Sequence, residues 1–195
     1  MRTVIINYGA GNVRSVQRAL ARLGHESDVS ADPKVIAAAE RVIFPGVGQA
    51  SAAMQRLGER GLDKLIPRLT APVLGICLGM QLMCETTEEG DTRGLGIFPL
   101  DVLKIPPGLK VPHMGWNRVT RLNSALFDSV EEDEYMYFVH SYYVPDNGYS
   151  IAECRYHEPF AAAISHGNFH GCQFHPEKSA DAGLRVLSNF MSQNT

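Results

Sequence analysis

Apolar positions along this chain follow two periods in turn, one near two residues and one near 3.6. Thr3–Asn7 is a short β-rich apolar run, and Tyr8-Gly9-Ala10-Gly11 reads as a turn. Beyond it Val13, Val16, Leu20 and Leu23 fall on one helical face, with Asn12 suited to cap the helix and Gly24 to end it. His25–Val29 predicts a weaker strand. Arg41–Phe44 predicts a third, broken by Pro45-Gly46-Val47-Gly48, and Ala50–Leu57 predicts a helix. Pro72–Ile76 has the compact apolar run of a buried strand, and Leu78–Met83 directly after it has helical character. Strand and helix in alternation predict a parallel sheet with helices on both faces.

The second half has a different rhythm. Val111–Val119, Tyr135–Tyr143, Ile151–Cys154, Ala161–Ser165 and Asn168–His175 read as strands joined by short turns, some of them hairpins. A last helix, Ala180–Met191, carries Leu184, Leu187 and Met191 on one face. The expected architecture is one α/β domain over residues 1–195. Its central sheet is mostly parallel and flanked by helices, with extra antiparallel strands in the second half. No repeat or linker interrupts it, and the charged stretch Glu85–Asp91 reads as solvated surface.

Composition narrows the function classes. With 195 residues, 45% of them hydrophobic and 20% charged, the chain can bury one core without disulfide or metal staples. A net charge of -3 leaves no basic footprint, so no nucleic-acid partner is expected. No apolar run approaches the roughly 20 residues of a membrane span. The opening residues read as a strand with no signal-peptide h-region before it, so the expected location is the cytoplasm. There thiols stay reduced, and the four cysteines form no CxxC pair. A zinc site begun by Cys172 and His175 lacks two further ligands. The Tyr8–Asn12 loop fails the dinucleotide pattern, because Arg14 stands where glycine is needed. No metal and no organic cofactor is expected.

Two segments carry candidate chemistry. In Gly75-Ile76-Cys77-Leu78-Gly79 a buried strand turns into a helix between small residues, a geometry that exposes a nucleophile. The helix N-terminus favours a thiolate at Cys77, and the Leu78 N–H can hold an oxyanion. The plain alternative is a buried core cysteine. Cys84, about two helical turns further along, and the strand cysteines Cys154 and Cys172 lack such a turn and read as core. The second segment is Gly171-Cys172-Gln173-Phe174-His175-Pro176-Glu177. In an extended chain His175 and Glu177 share one side, so the carboxylate can hold one imidazole nitrogen while the other takes a thiol proton. His25, His157, His166 and His170 have no such companions and read as surface or turn residues.

Together the elbow cysteine and the late His175-Pro176-Glu177 resemble the class I glutamine amidotransferases, and the Pro45–Gly48 loop looks like that family's oxyanion strand. The likeness spans nearly the whole chain. Asn7-Tyr8-Gly9-Ala10-Gly11-Asn12, Pro112-His113-Met114-Gly115-Trp116-Asn117 and Lys178 are similar to the subfamily of glutaminase subunits of imidazole glycerol phosphate synthases, although that subfamily usually has proline at the place of Ala10. The resemblance implies hydrolysis of glutamine by Cys77 as nucleophile, His175 as base and Glu177 as its orienting carboxylate. It implies an oxyanion hole from Val47, Gly48 and Leu78. Gln81, Glu89, Ser141 and Tyr142 are implied to contact the substrate. Asn12, Trp116 and Lys178 are implied to face a (β/α)8-barrel cyclase subunit in a heterodimer, through which ammonia travels. Rival readings are an amidotransferase for another synthase, such as those making anthranilate or pyridoxal phosphate, a small cysteine peptidase or chaperone-like domain, and a non-catalytic binding module.

Overall fold

The computed structural model of the protein describes residues 2–9, 11–156 and 158–193. The expectations for Ala10 and His157 lie outside the described residues. Thirteen strands are described: β1 (Thr3–Ile6), β2 (Asp28–Ser30), β3 (Arg41–Gly46), β4 (Val73–Cys77), β5 (Cys84–Thr87), β6 (Thr92–Arg93), β7 (Phe98–Lys104), β8 (His113–Thr120), β9 (Tyr135–His140), β10 (Tyr142–Tyr143), β11 (Ser150–Arg155), β12 (Pro159–His166) and β13 (Phe169–Cys172). The helices are α1 (Val13–Arg22), α2 (Pro33–Ala37), α3 (Ala50–Glu59), α4 (Leu62–Leu65), α5 (Leu78–Leu82) and α6 (Ala180–Ser192), with short 3-10 turns elsewhere.

Nine strands form the main sheet in the order β2-β1-β3-β4-β13-β12-β11-β8-β9. From β2 to β13 neighbours run parallel, and from β13 to β9 they run antiparallel. The change of rhythm halfway along the sequence is also a change of sheet type, except that β13, late in the chain, pairs in parallel with β4. In the parallel half both faces are covered, and each face has its own core. Ile5, Ile43, Leu74 and Ile76 pack with α1 and α6, whereas Val4, Ile6, Val42, Phe44 and Val73 pack on the other side with α3, α4 and α5. Strands buried on both faces carry unbroken apolar runs, which is why they were readable. Among the described residues no helix is long and apolar enough to cross a membrane.

A second sheet, β10-β7-β5-β6, departs from the expectation. Glu85–Asp91 does not simply lie in solvent: Thr86 and Thr87 pair in parallel with Asp101 and Val102 of β7. Cys84 does not continue the α5 helix, which ends at Leu82, but opens β5 and is fully buried. The run Tyr135–Tyr143 is split as well. It breaks at Ser141, where the chain leaves the main sheet at β9 and joins the small one through β10. Likewise β13 ends at Cys172, short of the expected His175. Neither break has an apolar signal of its own, because both sides of each remain half or fully buried.

Candidate active site

Cys77 ends β4 in a strained positive-φ conformation, φ 54° and ψ -110°, and α5 starts at the next residue. Such a backbone costs about 1–3 kcal/mol for a non-glycine residue and persists only where packing enforces it. Here the packing is on either side. A Cβ on Gly79 would lie 1.8 Å from the Phe44 carbonyl oxygen of β3, and one on Gly75 would lie 2.5 Å from Met83 Cε. The glycines thus let α5 sit almost on the backbone of the sheet, and the elbow presents the sulfur at its tip. Weak contacts hold that sulfur: Gln173 Nε2 at 3.6 Å and the Val139 carbonyl at 3.7 Å.

His175 and Glu177 do meet, by a different route from the expected extended chain. His175 is extended (φ -99°, ψ 96°), but Pro176–Lys178 is a 3-10 turn that swings the carboxylate back under the ring. Glu177 Oε1 lies 2.8 Å from His175 Nδ1, with both side chains fully buried. Their frame comes from β9. The His175 N–H donates to the Tyr137 carbonyl at 2.9 Å. Ser179 Oγ donates to the His175 carbonyl at 2.7 Å and accepts the Tyr137 N–H at 2.9 Å.

The opposite nitrogen, His175 Nε2, is buried without a hydrogen-bond partner among the described residues. Burial alone lowers the basicity of this ring. Its interactions with Cys77 and Glu177 outweigh burial and raise the pKa to about 9. Glu177 is affected in the opposite sense: burial raises its pKa, but His175 and Asn12 overcome this and hold the carboxyl below its ordinary value. At neutral pH the arrangement therefore favours an imidazolium held against an ionised Glu177 carboxylate. Cys84, Cys154 and Cys172 are held protonated by burial. Burial first, with Asp101 adding, pushes the Cys84 thiol up to about 12, and burial first pushes Cys154 to about 12 as well. Burial, with Glu177 and Cys77 nearby, holds Cys172 well above the usual thiol range. These three stay protonated and inert, as core cysteines do.

One cavity of about 360 Å³ gathers most of the candidate residues. Val47, Gly48, Cys77, Leu78, Gln81, Glu89, Ser141, Tyr142 and His175 all line it. Gly48 has φ 101°, a conformation that favours glycine, and Val47 is 38% exposed beside it. Gln81 Nε2 donates to the Tyr142 carbonyl and to Gln173 Oε1, both at 2.8 Å. Glu89 reaches the cavity while its Oε2 accepts the Ala50 N–H at the start of α3, 2.8 Å away. Burial raises its pKa and that bond lowers it, with a net rise.

Asn12 is placed differently from its reading as a helix cap. It occupies the N-cap position of α1 with φ 77°, and its side chain makes no capping bond. Instead Asn12 Nδ2 donates to Glu177 Oε1 at 2.6 Å and approaches His175 Nδ1 at 3.3 Å. The left-handed backbone turns the amide away from the helix, and its Nδ2 donates to a buried carboxylate, a charge-assisted bond stronger than one to a neutral acceptor. Trp116, 51% exposed, and Lys178 both lie against Tyr137, the indole edge-on at 5.9 Å and Lys178 Nζ 5.8 Å from the ring centre. Tyr137, Ser179, Gln173 and His140 were not singled out by sequence. Of these only Gln173 left a trace, two residues before His175 on the same side of an extended chain.

The elbow cysteine and the His175 of the buried His175–Glu177 pair thus border one cavity at the end of the parallel strands of an α/β sheet. Residues 4–194 match the family glutamine amidotransferase class-I, and the chain belongs to that family. It is 52% identical over 194 residues to the imidazole glycerol phosphate synthase subunit HisH of Bacteroides fragilis strain YCH46, covering 98% of this chain and 99% of that one. The subunit of the same name from Escherichia coli K12 is 50% identical with the same coverage. Among solved structures, PurLQS from Thermotoga maritima gives a TM-score of 0.73 at 18% identity, covering 97% of each chain. A crystal structure of a glutamine amidotransferase gives 0.75 at 17%, covering 96% of this chain and 98% of that one. These two share the fold.

Proposed function

We propose that this chain is the glutaminase subunit of an imidazole glycerol phosphate synthase, working in the cytoplasm. In this reading it hydrolyses glutamine to glutamate and ammonia with Cys77, His175 and Glu177. The ammonia passes to a (β/α)8-barrel cyclase subunit, which makes imidazole glycerol phosphate and AICAR in histidine biosynthesis. The observation that carries the chemistry is the single cavity joining the strained Cys77 elbow to His175, whose ring is fixed at Nδ1 by Glu177. The half-identity to HisH subunits over nearly the whole chain supports this synthase over those for anthranilate or pyridoxal phosphate.

The Cys77 thiolate attacks the carboxamide carbon of glutamine. Negative charge moves to the amide oxygen, which in this reading the Leu78 N–H and the Val47–Gly48 loop receive; one such donor is worth about 3 kcal/mol. The imidazolium of His175 gives its Nε2 proton to the departing nitrogen. The C–N bond breaks, ammonia leaves, and a γ-glutamyl thioester remains on the sulfur. Neutral His175 then takes a proton from water, whose oxygen attacks the thioester and releases glutamate and the thiolate. Glu177 stabilises the imidazolium at each stage, and Gln81, Glu89, Ser141 and Tyr142 hold the amino-acid end of the substrate. Asn12 supports Glu177, while Trp116 and Lys178 lie on the face offered to the cyclase.

Glutamate release tests this, using wild type and Cys77→Ala with and without the cyclase and its ribonucleotide substrate. Wild type should turn over strongly in the complex. Cys77→Ala should be inactive with glutamine yet support synthesis from ammonium salts. Glutamine hydrolysis by Cys77→Ala would refute the triad. Strong hydrolysis by wild type alone, with no effect on that cyclase, would refute the partner.

A further inference from the structure

Beside the cavity lies a hydrogen-bond chain of four links that the triad chemistry does not use. The Tyr142 carbonyl can only accept, and it takes Gln81 Nε2 and His140 Nδ1, each at 2.8 Å. His140 Nδ1 therefore carries the proton, and in a neutral ring Nε2 must accept. Its neighbour there is His113 Nδ1 at 2.9 Å, which must donate in turn. His113 Nε2 is left to accept from Asn117 Nδ2 at 3.2 Å. The amide at the far end is oriented independently: Asn117 Oδ1 accepts the Arg118 N–H at 2.8 Å and Nδ2 donates to the Arg155 carbonyl at 3.0 Å. Backbone groups thus fix both ends, and the chain can run in one direction only.

Its surroundings keep it so. His113 and His140 are 4% and 6% exposed, and the His113 ring is stacked between Phe138 and Tyr156. Burial lowers the pKa of His113 to about 4. His140 falls to about 3, first through burial, then through His113, with the Tyr142 carbonyl opposing and His175 adding last. Both rings are neutral at pH 7, as the bond pattern demands.

We infer that His140 is a positioning residue for the α-carboxylate of the substrate, its tautomer set by His113 and Asn117 on β8. The inference rests on the proposed glutaminase reading. Ser141 turns its carbonyl to the Ile105 N–H beside β7, at 3.0 Å. Polar backbone groups alternate edges along a strand, so Tyr142 faces the other way, towards Gln81 and His140. Its N–H then looks into the same cavity as a donor for a carboxylate. That N–H belongs to the Ser141–Tyr142 peptide, held through the Ser141 carbonyl by Ile105, while the two donors on the Tyr142 carbonyl fix the following peptide, so both peptide planes that meet at the Tyr142 Cα are held. The chain reaches the pocket from β8 without using the exposed Met114 and Trp116, since Asn117 points to the opposite face of the strand from Trp116.

Two measurements test this. In wild type, long-range nitrogen-15 correlation spectra at pH 7 should show His113 and His140 as neutral Nδ1–H tautomers; an Nε2–H form or a charged ring at either site overturns the inference. In the complex with the cyclase, His140→Asn keeps an amide N–H near the Nδ1 position, whereas His140→Gln places its amide near Nε2. His140→Gln should raise KM for glutamine about tenfold and His140→Asn by no more than about twofold, with kcat of each within about threefold of wild type. Equal effects of the two, or a fall in kcat matching the rise in KM, indicate a merely structural role and overturn it. Absence of glutamine turnover by wild type would instead defeat the glutaminase reading itself, whatever the tautomers.

Discussion

At the scale of single residues, Asn12 shows how a charged acceptor redirects a side chain. Asparagine before an apolar helical stripe is a normal cap, and the backbone of Asn12 does start α1: its carbonyl accepts the Ser15 and Val16 N–H groups. The amide goes to Glu177 instead, at 2.6 Å, while Glu177 Oε2 has no partner among the described residues. Hydrogen bonds to charged groups are worth about 1.5–3 kcal/mol. Asn12→Ala should therefore lower kcat/KM for glutamine about ten- to hundredfold in the complex, with only a small change in melting temperature. Asn12→Asp should be worse, because a second carboxylate beside Glu177 favours protonation of one of the pair. Steady-state kinetics of both variants, with thermal unfolding as control, check the point. Loss of stability without loss of rate would return Asn12 to the role of a cap.

At the scale of elements, the strand–elbow–helix unit was readable, since glycines two before and two after a cysteine mark a tight turn out of an apolar strand. The reason for each glycine was not. Gly79 has no room for a Cβ, because the Phe44 carbonyl would lie 1.8 Å away, and a backbone atom in a central strand cannot move aside. Gly48 has open space, and only its φ of 101° resists a side chain. Gly79→Ala should cost at least about 3 kcal/mol or prevent folding, as severe overpacking does. Gly48→Ala should cost about 1–2 kcal/mol and leave the fold intact, with its effect confined to the oxyanion loop. Denaturant titration of both separates the two causes. Equal losses would show that the elbow relaxes. The small second sheet stayed hidden for a related reason. Cys84–Thr87 and Thr92–Arg93 are too short and too polar to carry a period; the first becomes a strand by pairing with β7, and the second by pairing with the first.

At the scale of the whole molecule, buried ionisable groups make stability depend on pH from both sides. The pKa of His175 is raised from 6.5 to about 9, so its contribution is complete below pH 6.5 and disappears as pH rises through 9. His113 and His140 are lowered to about 4 and 3, so theirs is complete above pH 6.5 and is lost as pH falls towards 4 and below. Melting temperature should therefore peak near pH 6.5. His175→Gln should flatten the alkaline limb between pH 6.5 and 9 and leave the acid limb in place; an unchanged alkaline limb would remove His175 as its source. By itself the sequence determined the parallel strands of the first half, the helices α1, α3 and α6, the elbow and the His175–Glu177 pair, though not the parallel pairing of β13 with β4. These depend on local periods, on turn chemistry and on residues two apart. Only the tertiary structure decided that Asn12 reaches Glu177 across 165 positions, that Tyr137 and Ser179 brace His175, and that β8 is tied to the pocket through two neutral histidines. Those contacts join polar side chains from distant strands, and a buried polar group takes whichever partner the packing brings within reach, which no local pattern records.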